Sequence, residues 1–303
     1  EIAMADSFFN SLQAFPRGLI FVILGIGILL LAKLARDIVT KYRIDEEVSK
    51  KNNLAVALRL SGYLIGVVLV FLGALYQPLT LIGPEGLGFN SQLLEEVIRV
   101  FLYALAGIIL LNLARPIMDR LVLYKFSIEK EIVEDQNIGT AAAEFGLNIA
   151  TGLVIAGAIA GDGAGGELIS ATTALAFFGM GLLLLILFSL FYQVSTPFDI
   201  HTEIENDNNA VGIVFGSNLI AIGLIAFKAL FGDFTGWYES ITAFVIYAVL
   251  GFILLYILRI LIDLLLVPSI KISQALTTEK NVGVAFIESA VVISSALILF
   301  LAI

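Results

Sequence analysis

Eight apolar blocks divide this chain, and they constrain its fold more than any other feature. Each block approaches the roughly 20 residues that a helix needs to cross the hydrocarbon core of a bilayer. Lipid offers the backbone no hydrogen-bond partners, so each block must be helical. The chain is therefore predicted to be an all-α polytopic membrane protein with eight transmembrane helices. The blocks are residues 18–34, 54–76, 97–113, 138–160, 172–192, 211–230, 241–261 and 282–303.

Basic residues collect in the segments that follow the first, third and seventh predicted helices. Loops rich in Lys and Arg stay in the cytoplasm, so these segments are expected to be cytoplasmic and both termini to lie outside. An outside N-terminus that starts at Glu1 rather than Met is expected to result from cleavage of a signal peptide. The basic residues are Lys33, Arg36, Lys41, Arg43, Lys50, Lys51, Arg115, Arg120, Lys125, Lys130, Arg259, Lys271 and Lys280.

A short motif opens every even-numbered helix: Asn, any residue, a small residue, any residue, a small residue. Asn accepts hydrogen bonds from the free backbone N–H groups at a helix start. Small residues let neighbouring helices approach closely, so the even-numbered helices are predicted to form the inner layer. The motif predicts four helical hairpins as repeats. It occupies residues 53–57, 137–141, 208–212 and 281–285.

A second level of repetition relates the two halves of the chain. Three charged residues of the second hairpin recur in the fourth hairpin at a constant offset of 144 residues. Internal repeats of this kind are common in transporters. We therefore predict two four-helix units, residues 1–160 and 161–303, that arose by duplication. The equivalent pairs are Arg115 and Arg259, Asp119 and Asp263, and Glu144 and Glu288.

The Asn motif, placed after a charged loop inside two-helix units, resembles the bacterial YjfL-like family of small inner-membrane proteins. Members of that family usually have about four helices, so this chain resembles two of them fused, over nearly its whole length. The resemblance implies a location in the bacterial inner membrane with periplasmic termini. It implies no activity and transfers no catalytic residues.

Glu144 and Glu288 are the sharpest candidates for a functional site. Each lies seven residues past its motif Asn, about 10 Å into the membrane at 1.5 Å per residue. Ionisable residues at such depth usually face protein or water. They predict a polar layer that binds a cation, a proton or a small solute. The alternative is a structural cluster of Arg59 with a carboxylate. The candidate residues are Glu144, Asn148, Thr151, Glu288, Ser295, Arg59 and Asn218.

Two other charged groups are less specific. The pairs Arg115 with Asp119 and Arg259 with Asp263 have i, i+4 spacing at helix ends, which favours structural ion pairing. An alternating acidic segment would place its side chains on one face if it were extended, and oxygen ligands there would suit a divalent cation. A solvated acidic loop is the simpler interpretation. The segment contains Asp199, His201, Glu203, Glu205 and Asp207.

Composition narrows the function. The chain has no Cys and one His, which excludes thiolate chemistry and multi-histidine metal centres. Its net charge of −9 argues against a nucleic-acid partner. No motif indicates an enzyme or a cofactor. We predict a channel or transporter for a small cation or solute. The alternative is a non-transporting, envelope-related scaffold that docks partners through its cytoplasmic loops. Expected partners are membrane lipids, and either a second copy of the chain or other membrane proteins.

Overall fold

The protein is all-helical throughout the part that the computed structural model describes, which is the backbone of residues 2–80, 91–161, 167–266 and 271–302. Side chains are described for residues 15–76, 91–161, 169–257, 260 and 271–302. Eight helices are long and apolar enough to cross a membrane, which confirms the predicted fold class. The helices are α1 (Ile2–Val39), α2 (Ile44–Ser49), α3 (Leu54–Thr80), α4 (Ser91–Leu121), α5 (Ile128–Val133), α6 (Ile138–Ile159), α7 (Glu167–Ser195), α8 (Ile200–Glu205), α9 (Asn209–Leu230), α10 (Trp237–Leu266), α11 (Ile272–Thr277) and α12 (Val282–Ala302).

Four of these helices, α2, α5, α8 and α11, are only six residues long. Each lies between an outer long helix and the motif helix that follows it. We use "motif helices" for α3, α6, α9 and α12, which begin directly at the repeated Asn. A residue with left-handed backbone precedes each repeated Asn and turns the chain sharply from the short helix into the motif helix. These residues are Asn52, Gln136, Asp207 and Lys280, with φ of 52°, 53°, 57° and 47°.

The motif helices form a central row in the order α3, α6, α9, α12. Within their membrane-spanning segments, 83% of α6 and 78% of α9 is buried, and the end helices α3 and α12 reach 50% and 44%. The outer helices α1, α4, α7 and α10 do not exceed 33%. This confirms the predicted inner layer and leaves the apolar sides of the outer helices for lipid.

Glycine sets the spacing at the centre of the row. A Cβ placed at Gly146 on α6 would overlap the backbone of Gly216 on α9, and one at Gly212 would overlap the backbone of Gly139. On the other side of α6, a Cβ at Gly152 would lie 2.6 Å from the Cα of Gly66 on α3. The helix backbones are therefore in direct contact, as small residues allow in membrane proteins.

The repeated Asn residues link each helical hairpin to the next one along the chain. Each accepts a bond from a backbone N–H in the first turn of its own motif helix, as an N-cap does. The first three also donate from Nδ2 to a backbone carbonyl of the next short helix along the chain. The bonds are Asn53 to Ile132 at 3.0 Å, Asn137 to Ile204 at 2.7 Å and Asn208 to Leu276 at 2.9 Å.

The fourth of these residues, Asn281, caps α12 but is exposed, whereas the other three are buried. We expect Asn137→Ala to lower the free energy of unfolding by about 2–3 kcal/mol, because it removes a cap and also the buried bonds from Asn137 Nδ2 to the Ile204 carbonyl and the Glu131 carboxylate. Asn281→Ala should cost about 1 kcal/mol, the value of a cap alone. Thermal unfolding of the two variants in detergent measures the difference. Equal losses would show that the bond to Ile204 contributes nothing.

Helix α1 is longer than its apolar block indicates. It continues to Val39, so Lys33 and Arg36 belong to the helix, and their assignment to the following loop was wrong. The helix continues because Arg36 packs inside the protein. The division into units 1–160 and 161–303 stays a prediction. The interface of α6 with α9 crosses the boundary between them.

Candidate functional site

A buried ion pair between neighbouring motif helices forms the centre of the candidate site. Nε of Arg59 on α3 donates to Oε2 of Glu144 on α6 at 2.8 Å. Both side chains are only 1% exposed. Nη1 of Arg59 is 3.4 Å from the Tyr42 hydroxyl, while Nη2 of Arg59 and Oε1 of Glu144 have no hydrogen-bond partner among the described residues. The ion pair therefore leaves one buried donor and one buried acceptor without a hydrogen bond in that part of the chain.

Arg36 from the outer helix α1 is a second buried cation beside this pair. It is 1% exposed, and both Nη1 and Nη2 lack a hydrogen-bond acceptor. Its guanidinium carbon lies 5.0 Å from the centroid of the Tyr63 ring, which provides a cation–π contact. The Tyr63 hydroxyl is fixed in turn by Asn112 Nδ2 at 2.8 Å and by the Ala32 carbonyl at 3.2 Å.

Asp119 on α4 brings a second carboxyl to the site. It interacts electrostatically with Glu144, Arg59 and Arg36. Arg115, one turn earlier, places Nε 3.5 Å from Asp119 Oδ2. The predicted ion pair of Arg115 with Asp119 is therefore present, and it also connects α4 to the Arg59–Glu144 pair.

The side chains of the predicted polar stripe on α6 form hydrogen bonds with the backbone of their own helix. Asn148 Nδ2 donates to the Glu144 carbonyl at 2.7 Å, and Thr151 Oγ1 donates to the Leu147 carbonyl at 2.8 Å. Asn218 on α9 behaves in the same way, with Nδ2 2.8 Å from the Val214 carbonyl. These buried residues lie near the glycines at which the motif helices contact one another, and their polar groups bond mainly to the backbone.

The second half of the chain is built differently around Glu288. Glu288 and Ser295 on α12 are each 5% exposed. The side chains of Arg259 and Asp263 lie outside the described residues. At the position six residues after the motif Asn, where α3 has Arg59, α9 has Val214. The Arg59–Glu144 ion pair therefore has no counterpart between Val214 and Glu288, although Glu144 and Glu288 share one position in the sequence repeat.

A groove between α1 and α4 leads towards Asp119 from the lipid-facing side. It has a volume of about 500 Å³ and mostly apolar walls, including Ala35, Val39 and Ile108. Its polar part is formed by Asn112, Arg115 and Asp119. A second groove of about 520 Å³, lined in part by Glu95, Arg99 and Tyr103, lies beside the other end of α4.

The acidic segment near residue 200 is not extended, so the face required for a cation site does not form. Residues 200–205 make helix α8, Asp199 caps it through the Thr202 N–H at 3.1 Å, and Asp199 pairs with Lys125. His201 is buried, with Nε2 2.8 Å from the Val122 carbonyl and Nδ1 3.0 Å from Gln193 Oε1. Burial lowers the pKa of His201.

The other acidic residues of that segment are also separated by the helix. Glu203 accepts from Asn208 Nδ2 at 2.7 Å, while Glu205 and Asp207 are exposed. Across the described part of the chain, no group of three His, Asp or Glu side chains is arranged to hold a metal ion. The weak metal candidates of this segment are therefore not brought together.

Sequence reasoning missed Arg36 as a site residue, although a signal for it was present. Leu34-Ala35-Arg36 recurs as Leu113-Ala114-Arg115, so the same triplet lies near the C-terminal end of both α1 and α4. The role of Tyr42 had no such signal, because a Tyr near a membrane boundary usually indicates interfacial anchoring.

Comparison with known proteins agrees with a membrane protein family that has no assigned activity. The chain is 22% identical over 257 residues to a UPF0719 transmembrane protein of Aquifex aeolicus (strain VF5), covering 84% of this chain and 88% of that protein. No solved structure matches the chain. A family model matches residues 10–159 and again residues 166–303, and the protein therefore belongs to the family described as Domain of Unknown Function (DUF350).

Proposed function

We propose that the protein moves a small ion or polar solute across its membrane through the site around Arg59 and Glu144. The observation that carries the proposal is the set of charged side chains buried within membrane-spanning helices. Arg36, Arg59 and Glu144 are each 1% exposed, and all three have polar atoms without a partner. Such groups are costly inside a membrane and generally mark ion or substrate pathways.

The two grooves beside α4 support this proposal. One reaches Asp119, and the other lies beside the opposite end of the same helix. Glu144 is 1% exposed, so the proposal treats this arrangement as the closed state of the transport cycle. The proposed setting is the bacterial inner membrane, with the short helices in the cytoplasm and both termini in the periplasm. Exposed basic residues such as Lys41, Arg43 and Lys50 at the short-helix end support that orientation.

A flux assay tests transport. The protein is reconstituted into vesicles, and shrinkage and swelling after an osmotic step with salts and small polar solutes are followed by light scattering. We expect recovery in at least one solute to be faster than in protein-free vesicles. Glu144→Gln should change that rate at least about tenfold, because charge at this depth dominates the barrier. Glu46→Gln, at an exposed surface pair with Arg43, is the matched control.

Vesicles that behave like protein-free ones for every solute would refute transport and favour a scaffold. Two observations favour that second function. Glu144 is almost completely buried, and the motif helices are in direct backbone contact at their glycines. In the scaffold proposal, the buried charges fix helix register. The short-helix end would then bind partner proteins or a second copy of the chain, within surrounding lipid.

A further inference from the structure

The charges of the candidate site are unequal, and their balance indicates the ligand. The charged groups that face the site are Arg36 from α1, Arg59 from α3, Arg115 and Asp119 from α4, and Glu144 from α6. Three cations thus face two carboxyl groups. The site carries an excess positive charge even when both carboxyl groups are ionised.

The unpartnered guanidinium nitrogens show where a compensating charge is needed. Arg36 lacks acceptors at both Nη1 and Nη2, and Arg59 lacks one at Nη2. Arg36 lies over the ring of Tyr63, which is one helical turn after Arg59 on α3, so the two guanidinium groups lie on the same side of that helix. An uncompensated charge in a protein interior is strongly destabilising, and a guanidinium group is well suited to bind an anion with its planar fork of donors.

The third hairpin lacks two of these cations. Val214 on α9 lies six residues after its motif Asn, where α3 has Arg59. Tyr192 lies eight residues before the first residue of its short helix, where the first hairpin has Arg36. Val214 and Tyr192 are both buried. At these two positions, the first hairpin carries positive charge and the third hairpin does not.

We propose that the site binds one small monovalent anion, of the class of chloride, nitrate or formate, between Arg36 and Arg59. The anion is small because the side chains around it are almost completely buried. Its role as the transported solute rests on the function proposed above, whereas its binding does not. The inference therefore narrows the ligand of the proposed function from any small ion or polar solute to a small anion.

Thermal unfolding of the full chain in detergent tests binding directly. One series holds potassium constant and varies chloride, nitrate and formate against gluconate, which is a much larger anion. A second series holds chloride constant and varies potassium, sodium and N-methylglucamine. We expect the unfolding temperature to depend on the anion and not on the cation. A dependence on the cation, or no dependence on the anion, would overturn the inference.

Two variants of the site and one control variant test the location of the anion. Glu144→Gln removes a negative charge while leaving an acceptor for Arg59, so the anion should bind at least about threefold more tightly. A cation site would instead lose its ligand. Arg36→Gln leaves the Arg59–Glu144 pair intact and should weaken anion binding at least about tenfold. Arg43→Gln, at an exposed arginine paired with Glu46, should change nothing. Loss of anion binding in Glu144→Gln contradicts the proposal.

Vesicle flux separates this inference from the proposed function. Anion-dependent stability without any flux would refute transport and leave the anion site standing. Flux that follows the cation, together with stability that follows the cation, would refute the anion site and leave transport standing. Flux that follows chloride or nitrate, and changes in Arg36→Gln but not in Arg43→Gln, supports both.

Discussion

Glu144→Leu is expected to destabilise the protein by about 3–5 kcal/mol, because it leaves the buried Arg59 guanidinium without its carboxylate partner. Arg59 is 1% exposed and holds Glu144 Oε2 at 2.8 Å, so water cannot replace the lost acceptor. Thermal unfolding of the purified protein in detergent measures the loss, and size-exclusion chromatography shows whether the variant remains folded.

The double variant Arg59→Val with Glu144→Leu is the informative control. It removes both charges, and Val at this position is what the chain itself has on α9, at Val214. Replacing both partners of a buried pair with apolar residues is often close to neutral. We expect the double variant to recover at least half of the stability lost in Glu144→Leu. A double variant that is less stable than the single one would contradict this account of the pair.

Gly146→Ala should have a comparably large effect through packing alone. Its added methyl group would overlap the Gly216 backbone, which cannot rotate away as a flexible side chain would. The helices α6 and α9 must separate, and contacts are lost along the whole interface. We expect a loss of about 3 kcal/mol, the upper part of the usual range for overpacking. The same unfolding measurement determines it.

Gly179→Ala on the outer helix α7 is the matched control for this substitution. Nothing lies within 4 Å of a Cβ at that position, and Ala favours a helix over Gly. It should leave stability unchanged or raise it slightly. If Gly146→Ala behaved like Gly179→Ala, the close contact between α6 and α9 would not be present in the protein.

Much of the fold could be predicted because the membrane allows few backbone structures to cross it. Eight long apolar blocks require eight helices. The small residues after each repeated Asn indicated which helices lie inside, and Gly146 and Gly212 are indeed in backbone contact with α9 and α6. The importance of Glu144 followed from its depth, because a carboxylate in a transmembrane segment needs a partner in the protein.

The short helices and Arg36 could not be predicted in the same way. A helix of six residues is too short to display a hydrophobic period, and α8 was interpreted as an acidic loop because its residues alternate. Arg36 follows an apolar block, so charge counting assigned it to the loop. Its burial depends on Tyr63 and Asn112, which lie on two other helices and are brought to it only by tertiary packing.

The bonds from the first three repeated Asn residues to the following short helices have a consequence for biogenesis. Ile132 lies 79 residues after Asn53, and Ile204 lies 67 residues after Asn137. Neither bond can form before the ribosome has synthesised the next short helix. Each of the first three hairpins therefore reaches its full set of native bonds only after part of the following hairpin has been made.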